Sequence, residues 1–358
     1  MSARTGDAQI TLTLRPALGI VRAMSSVLED LRARLPSGYR SRPFEDADRE
    51  PFVAATNAES HPMEAESAKE WRRWEAMLRD ETLIRLTVVD AADAVVGMAS
   101  LGVGMMPRPD GAQRLDVGVH RDHRRHGIGS ALLEAFEAEA HRRKVPRLLS
   151  GTSATRPFAL EFATRRGYRE IGRRIMSYRE LASYEPERWR SSHDRISHGG
   201  IRIRSVSEIL AEHDDAGRER FWRELWEAEA PMWDDIPWAT PTPHWTFERF
   251  HKMAAKSGQM LADLSLVAYD GDTVAGFTTT GDRQGKDGWT WMTGVARDHR
   301  GRGIAMALKV DVLARAKARG LRAMCTVNDE SNKAMRGVNI KLGYEPVPDH
   351  IELEKTLS

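Results

Sequence analysis

Cysteine is nearly absent from this chain of 358 residues, because Cys325 is the single one. One cysteine cannot form an internal disulfide, and it excludes a cysteine-rich metal site. This usage fits a reducing compartment, so we expect a cytoplasmic protein. Cys325 lies within a predicted strand and has no evident partner base, which favours a small buried residue over a nucleophile.

Long apolar runs and an excess of one charge are also lacking. No run approaches the roughly 20 apolar residues that a membrane-spanning helix needs, so we expect no membrane association. Lys and Arg (54) nearly balance Asp and Glu (52), and this gives the chain no overall field that would attract nucleic acid. A chain with 41% hydrophobic and 30% charged residues is typical of globular proteins, and its length suggests two domains.

The sequence does contain an internal repeat. The segment Arg-Asp-His-Arg at 121–124 recurs at 297–300, an offset of 176 residues. The same offset relates three further pairs of segments: 118–119 and 294–295, 127–128 and 303–304, and 167–168 and 343–344. Matches at one offset over about fifty residues indicate a duplicated domain.

Each copy predicts the same order of elements. In the first copy a strand pair at 84–89 and 94–101 is followed by an alternating strand that ends at Val119. An amphipathic helix follows, and a further strand and a short helix complete the copy. The corresponding segments of the second copy are the strands at 264–269 and 273–279, the strand ending at Val295, and the helix through Ile304, Leu308 and Val312. This order predicts an α/β (α+β) fold with a mixed central sheet and helices on both faces.

The duplication also predicts the domain boundaries. Residues 1–37 have no counterpart in the repeat, and we expect them to form a flexible N-terminal extension. The first domain is expected over 38–182 and the second over 200–358. The polar stretch 183–199, which ends in Gly199, is expected to be the linker.

A glycine-containing turn between a strand and a helix carries the functional signal. It reads Arg-Arg-His-Gly-Ile-Gly at 124–129 and Arg-Gly-Arg-Gly-Ile-Ala at 300–305. Small residues let a ligand approach the backbone, and a helix start offers unpaired N–H groups and a positive dipole end. The pattern therefore predicts a pyrophosphate site. The Gly-x-Gly-x-x-Gly dinucleotide fingerprint does not fit it.

This twofold Arg-x-x-Gly-x-Gly/Ala turn resembles the acyl-CoA signature of the GNAT superfamily of N-acetyltransferases, as does the later helix ending in Gly-Tyr. The resemblance implies two tandem GNAT-like domains and acetyl-CoA as co-substrate, with no metal. It further implies that backbone N–H groups of the turns hold the pyrophosphate. The residues so implied are Val119, Arg124, Arg125, His126, Gly127, Ile128, Gly129 and Ser130 in the first copy, and Val295, Arg300, Gly301, Arg302, Gly303, Ile304, Ala305 and Asn332 in the second.

The catalytic groups depart from the family pattern. At the position of the tyrosine that usually reprotonates the CoA thiolate, the second copy has Asn339 and the first has Ala163. Asn339 can donate a hydrogen bond but cannot deliver a proton at neutral pH. Asp116, on the strand before the first turn, is the candidate base, although a solvent-facing strand position explains it equally well.

The acceptor side is expected in a segment rich in tryptophan at the start of the second copy. Trp233 lies among prolines and acids, so an exposed indole there can line an acceptor pocket. Asp234 and Asp235 are expected to hold a cationic substrate. His120, His123 and His126 superficially suggest a metal site, but their place beside the turn favours a solvated loop near CoA phosphates.

These observations predict acetyl transfer from acetyl-CoA to a small-molecule amine, with no nucleic-acid or membrane partner, in a monomer or homodimer. The cleaner turn of the second copy makes it the expected productive half. Two alternatives stay open. One is acetylation of a cysteinyl glycoside, as in mycothiol synthases. The other is a CoA-binding sensor in which both copies have lost chemistry.

Overall fold

The structure is a computed structural model that describes residues 10–78, 82–104 and 107–357. The chain divides into two compact units. The N-terminal unit comprises Met1–Ile171 and Ile351–Ser358, and the C-terminal unit comprises Gly172–His350.

The elements follow the order that the duplication predicts. The helices are α1 (Ile10–Arg34), α2 (Arg49–Asn57), α3 (Ala68–Leu78), α4 (Ile128–Arg142), α5 (Pro157–Thr164), α6 (Arg190–His198), α7 (Val206–Ala211), α8 (Asp215–Trp233), α9 (Phe247–His251), α10 (Ile304–Ala318) and α11 (Lys333–Lys341). The strands are β1 (Arg40–Pro43), β2 (Ile84–Val89), β3 (Val95–Gly102), β4 (Gln113–Val119), β5 (Arg147–Ser153), β6 (Arg169–Glu180), β7 (Ile201–Ser205), β8 (Leu266–Asp270), β9 (Thr273–Arg283), β10 (Asp287–Val295), β11 (Ala323–Asp329), β12 (Glu345–Pro346) and β13 (His350–Thr356).

The sheet of the N-terminal unit is mixed. Strands β1 to β4 are antiparallel neighbours, β4 pairs with β5 in parallel, and β13 lies beside β5. The parallel pairing is formed by Gln113 and Arg114 at the start of β4. The remainder of β4 leads to the glycine turn and the start of α4.

The C-terminal unit repeats this arrangement. Strands β7 to β10 are antiparallel neighbours, and β10 pairs with β11 in parallel. Strand β11 then pairs antiparallel with the part of β6 that belongs to this unit. The mixed strand pairing and the packed helices of each unit confirm the predicted fold class.

The helix after each turn packs its predicted apolar face into the core of its unit. Ile128, Leu132 and Phe136 of α4 are at most 1% exposed. The corresponding residues of α10 are buried to a similar degree, and they are Ile304, Leu308 and Val312. Each such side chain contributes about 1.5–3 kcal/mol by leaving water, so these stripes fix the helix starts against the sheets.

The expectation of a flexible extension over 1–37 is wrong for its described part. Helix α1 packs on α4, and its Val27 and Leu31 are fully buried in the core of the N-terminal unit. Their spacing of four residues puts both side chains on one helix face, which supplies the burial that holds the segment. Residues 1–9 lie outside the described residues.

The segment expected as a linker, 183–199, is folded. It contains α6, and Tyr184 and Ile196 are buried in the core of the C-terminal unit. The end of the chain also differs from the expected second domain, because Ile351 and Leu353 are buried in the core of the N-terminal unit. Alternating apolar residues on β13 provide that burial.

Candidate functional site

Both glycine turns have the same backbone geometry at the helix start. Gly127 is the N-cap of α4 and Gly303 the N-cap of α10, and each has a φ of 88°. This left-handed conformation favours glycine because it has no Cβ. Two residues earlier Gly301 has a φ of 76°, whereas its counterpart Arg125 holds a φ of 66°. The second turn therefore avoids the strain that Arg125 introduces into the first.

The turns leave backbone N–H groups without acceptors in the helix. The first backbone hydrogen bond of α4 runs from Ala131 to Gly127, and that of α10 runs from Ala307 to Gly303. The N–H groups of the three residues between each pair have no acceptor within the helix. Together with the positive end of the helix dipole they form a site suited to an anion.

The first arginine of each turn is tied to the end of the preceding strand. Arg124 donates through Nε to the carbonyl of Val119 at 3.1 Å, and Arg300 donates in the same way to Val295 at 3.1 Å. Arg124 also pairs with Glu59, with Nη1 2.8 Å from Oε1, and this guanidinium lowers the pKa of that carboxyl. The charge of Arg124 is thus balanced by Glu59. An anion at the first turn would therefore be bound mainly by the backbone N–H groups.

Asp235 has the matching role in the C-terminal unit. Its carboxylate pairs with Arg297, at 2.6 Å, and with Arg300. These two guanidinium groups, Arg297 foremost, lower the pKa of Asp235 to about 2. Asp235 is therefore paired with Arg297 and Arg300, and both it and its neighbour Asp234 are exposed residues. The other arginine of the turn, Arg302, pairs with Asp270 at 2.8 Å.

A cavity of about 720 Å³ surrounds the turn of the N-terminal unit. Its size suits a small-molecule ligand. The predicted residues that line it are Val119, Arg124, Arg125, Gly127, Gly129 and Ser130. Leu115 and Val117 of β4, which follow the parallel pairing with β5, line it as well.

Positive charge dominates the wall of this cavity. Its arginines are Arg124, Arg125, Arg156, Arg165 and Arg166, and its carboxylates are Glu59 and Glu161. Both carboxylates are paired with arginine, Glu59 with Arg124 and Glu161 with Arg165. Arg166 donates to the hydroxyl of Ser130 at 2.5 Å, at the helix start. A polyanionic ligand fits such a wall.

Asp116 is not among the residues that line this cavity. Its Oδ2 lies 2.6 Å from Nε of Arg114, two positions earlier on the same face of β4. The side chain of Asp116 is 45% exposed. The structure thus gives the candidate base an arginine partner and no place on the cavity wall.

Asn339 and Asn332 lie at opposite ends of α11. Asn339 is 3% exposed and donates through Nδ2 to Oδ1 of Asn328 at 2.7 Å. Its own Oδ1 is buried with no hydrogen-bond partner among the described residues. Asn332 caps the helix, accepting from the N–H of Met335 at 3.2 Å. In the N-terminal unit Ala163 lines the cavity where the family pattern has tyrosine.

Trp233 is not the exposed loop residue that the sequence suggested. It is the last residue of α8, is 7% exposed, and donates through Nε1 to the carbonyl of Thr242 at 2.9 Å. Its ring contacts those of Trp238 and Trp245. The apolar contacts available in this aromatic cluster are the reason for its burial.

Two buried charged side chains on helices of the C-terminal unit are absent from the residues that the sequence suggested. Glu229 lies on α8 and is 7% exposed, and Lys309 lies on α10 and is 2% exposed. Each is a charged residue within an otherwise apolar helix face, and this pattern in the sequence could have identified them. Among the described residues, no cluster of three or more His, Cys, Asp or Glu side chains is placed to hold a metal ion. No described helix is long and apolar enough to cross a membrane.

Comparison with known proteins matches the same two regions. The model of the acetyltransferase (GNAT) family matches residues 44–168 and 222–344. A protein named mycothiol acetyltransferase, from Parafrankia sp. (strain EAN1pec), is 26% identical over 274 residues, which cover 72% of this chain and 79% of that protein.

Two solved structures share the fold over nearly the whole chain. A GCN5-related N-acetyltransferase from Sphaerobacter thermophilus has a TM-score of 0.68 and 23% identity, covering 90% of this chain and 96% of the other. A tandem GNAT protein from the clavulanic acid biosynthesis pathway has a TM-score of 0.63 and 18% identity. The match covers 89% of this chain and 98% of the other. At these identities the similarity concerns the fold alone.

Proposed function

The chain belongs to the acetyltransferase (GNAT) family, and from this premise we propose that it transfers an acetyl group from acetyl-CoA to the amine of a small molecule. Acetyl-CoA supplies the activated thioester. The observation that carries the proposal is the repeated turn, in which a left-handed glycine N-cap opens a helix with free N–H groups. These donors, and the arginines around the first turn, fit the charge of a CoA pyrophosphate.

The reaction requires one bond to form and one to break. The acceptor ammonium loses a proton, its nitrogen attacks the thioester carbon, and the C–S bond then breaks with its electron pair left on sulfur. The protein binds and orients the reactants, which lowers the barrier by proximity. Asn339 has the place of the usual proton donor and can offer a hydrogen bond only, so the released thiolate takes its proton from solvent.

We propose the C-terminal unit as the productive half. Its turn has Gly301 where the first turn has the strained Arg125, and Asn332 is kept as the N-cap of α11. In the N-terminal unit, Asp116 and both cavity carboxylates are held by arginines. We therefore propose that the N-terminal cavity binds acyl-CoA without turnover.

A second acceptor class is the amine of a cysteinyl glycoside. The similarity to a protein named mycothiol acetyltransferase, over 72% of this chain, favours it. A panel that contains both simple amines and cysteinyl amines separates the two classes by their kcat/KM values.

The matched substitutions Gly303→Asp and Gly127→Asp test the choice of half. An aspartate adds a side chain at a positive φ and a negative charge at the phosphate site. We expect Gly303→Asp to abolish the amine-dependent release of CoA thiol, whereas Gly127→Asp leaves most of it.

Cooperative melting of each variant is the control for folding. If Gly303→Asp does not fold, Ala305→Glu places the charge on the same helix start without backbone strain. Loss of turnover in Gly127→Asp together with full turnover in the C-terminal variants would assign catalysis to the N-terminal unit.

A further inference from the structure

Helix α8 carries a buried carboxyl group between two tryptophans. Trp226, Glu229 and Trp233 are three and four residues apart, so they share one helix face. The side chain of Glu229 is only 9% exposed, and its Oε2 has no hydrogen-bond partner among the described residues. A buried carboxyl group without a partner is costly, and such a group calls for a functional explanation.

Histidine and tryptophan rings enclose this group. Nε2 of His244 lies 3.8 Å from Oε2 of Glu229, beyond hydrogen-bond distance. The His244 ring stacks on Trp226, with centroids 5.6 Å apart, and meets Trp233 at 5.5 Å in an edge contact. We call Trp226, Glu229, Trp233, Trp238 and His244 the aromatic cage.

The charge balance of the aromatic cage is incomplete. Burial raises the pKa of Glu229, and His244 opposes only part of that effect. An ionised carboxylate in such surroundings needs a cation within contact distance. Indole faces attract cations, and the guanidinium of Arg174 already lies 5.5 Å from the centre of the Trp238 ring, whereas Glu229 has no such cation beside it among the described residues. The cage is therefore complementary to a ligand that brings its own positive charge.

A second polar atom in the cage also lacks a partner. Nε1 of Trp238 is buried with no hydrogen-bond acceptor among the described residues, and its ring lies 5.0 Å from that of Trp233. The other two indole N–H groups are satisfied, because Trp226 donates to the carbonyl of Trp245 at 2.8 Å and Trp233 to that of Thr242. A ligand with an oxygen atom that accepts a hydrogen bond would satisfy the N–H group of Trp238.

The cage lies next to the strand that leads to the second glycine turn. Met232, one turn of helix after Glu229, packs directly on β10 at Gly294. A Cβ at Gly294 would lie 2.5 Å from Sδ of Met232, so only glycine permits this close contact. Val295, which follows, is the strand end to which Arg300 is bound. The end of α8, which carries the cage residues, thus packs against the strand that leads to the proposed acyl-CoA turn.

We propose that the aromatic cage binds the acceptor of the C-terminal unit, a primary ammonium compound that also carries an oxygen atom able to accept a hydrogen bond. Glu229 pairs with the ammonium group, and Trp238 donates to the oxygen. The assignment of this ligand as acceptor rests on the proposed acetyl transfer. In that reaction Glu229 accepts one ammonium proton, the nitrogen forms its bond to the acetyl carbon, and the C–S bond breaks to release thiolate.

Binding is tested directly by the tryptophan fluorescence of the full chain. The probes are amines, each with a hydroxyl isostere: ethanolamine with ethylene glycol, and glucosamine with glucose. We expect saturable quenching by at least one amine and none by its isostere. Glu229→Gln should weaken that binding roughly 10- to 100-fold, the loss typical of a hydrogen bond to a charged group.

The matched control is Glu227→Gln, because Glu227 is an exposed residue of the same helix. It should bind the amine as the unchanged protein does. If Glu229→Gln does not melt cooperatively, Trp238→Phe keeps an aromatic ring of smaller size and removes the N–H donor, and it should weaken glucosamine binding. Equal quenching by amine and isostere, or amine binding unchanged in Glu229→Gln, would overturn the cage assignment.

Kinetics separate the cage from the wider proposal. Glu229→Gln should raise the KM for the amine by the same factor, lower kcat because glutamine cannot accept the ammonium proton, and leave calorimetric binding of acetyl-CoA unchanged. Amine binding that depends on Glu229 without any release of CoA thiol would uphold the ammonium site and reject acetyl transfer. Normal turnover in Glu229→Gln would reject the cage and uphold the transfer.

Discussion

Lys309 is buried where the other copy of the domain has an apolar side chain. Its Nζ has no hydrogen-bond partner among the described residues and lies 4.8 Å from the centre of the Tyr344 ring. Burial lowers the pKa of Lys309 to about 7. Its counterpart in the repeat is Leu133, which lines the N-terminal cavity. The two copies have thus diverged in charge at one internal position.

Lys309→Leu should stabilise the protein most at and below about pH 7, and less as the pH rises above 7. Between about pH 7 and the unfolded lysine pKa of about 10.4, the unfolded chain holds a proton that the native protein has lost. Native stability therefore rises with pH in this range, by at most about 1.4 kcal/mol per pH unit. Urea unfolding at pH 7 and pH 9 measures the rise, and Lys309→Leu should remove it.

Lys341→Leu is the control, because Lys341 is exposed. It should leave the pH dependence of unfolding unchanged. An equal rise in the unchanged protein and in Lys309→Leu would show that another group causes it.

At this scale the sequence predicts where the turn residues lie but not how side chains are paired. The left-handed glycines follow from local pattern, since Gly127 and Gly303 stand directly before apolar helices. The partner of Asp235 and the burial of Glu229 depend on residues far away in the chain. Single-sequence patterns contain no such information.

At the scale of elements, α1 is the main difference from the sequence prediction. The duplication has no counterpart for it, and a segment without a counterpart was expected to be an extension. The buried pair Val27 and Leu31 is an i, i+4 signal that the repeat argument did not use. The expected second domain, 200–358, also included the segment of β13, because an alternating pattern does not tell which sheet a strand joins.

Truncation of one buried side chain tests the structural role of α1. Leu31→Ala removes a fully buried side chain from the core and should lower the free energy of unfolding by about 2–5 kcal/mol. Thermal or urea unfolding measures the loss. Val21→Ala, at a position that is 53% exposed on the same helix, should change stability little. Equal effects of the two substitutions would contradict the packing of α1 on the core.

At the scale of the whole molecule, the sequence predicts the duplication because strand, turn and helix recur in both copies at one constant offset. The structure adds the side-chain environment of each unit, which the repeated pattern does not contain. The N-terminal turn opens on a cavity with an arginine-rich wall, and the C-terminal unit contains a carboxyl group within an aromatic cage. These differences lie in side chains that the repeat does not share. They support a division of roles between acyl-CoA binding and acetyl transfer.

Calorimetric titration of the full chain with acetyl-CoA measures directly whether the two glycine turns bind acyl-CoA. We expect a saturable heat of binding that each of Gly127→Asp and Gly303→Asp reduces and their combination abolishes. Absence of any heat at about millimolar acetyl-CoA, a limit of about −4 kcal/mol in binding free energy, would rule out acetyl-CoA as the co-substrate. Full binding by the folded double variant would contradict the assignment of the turns as the site.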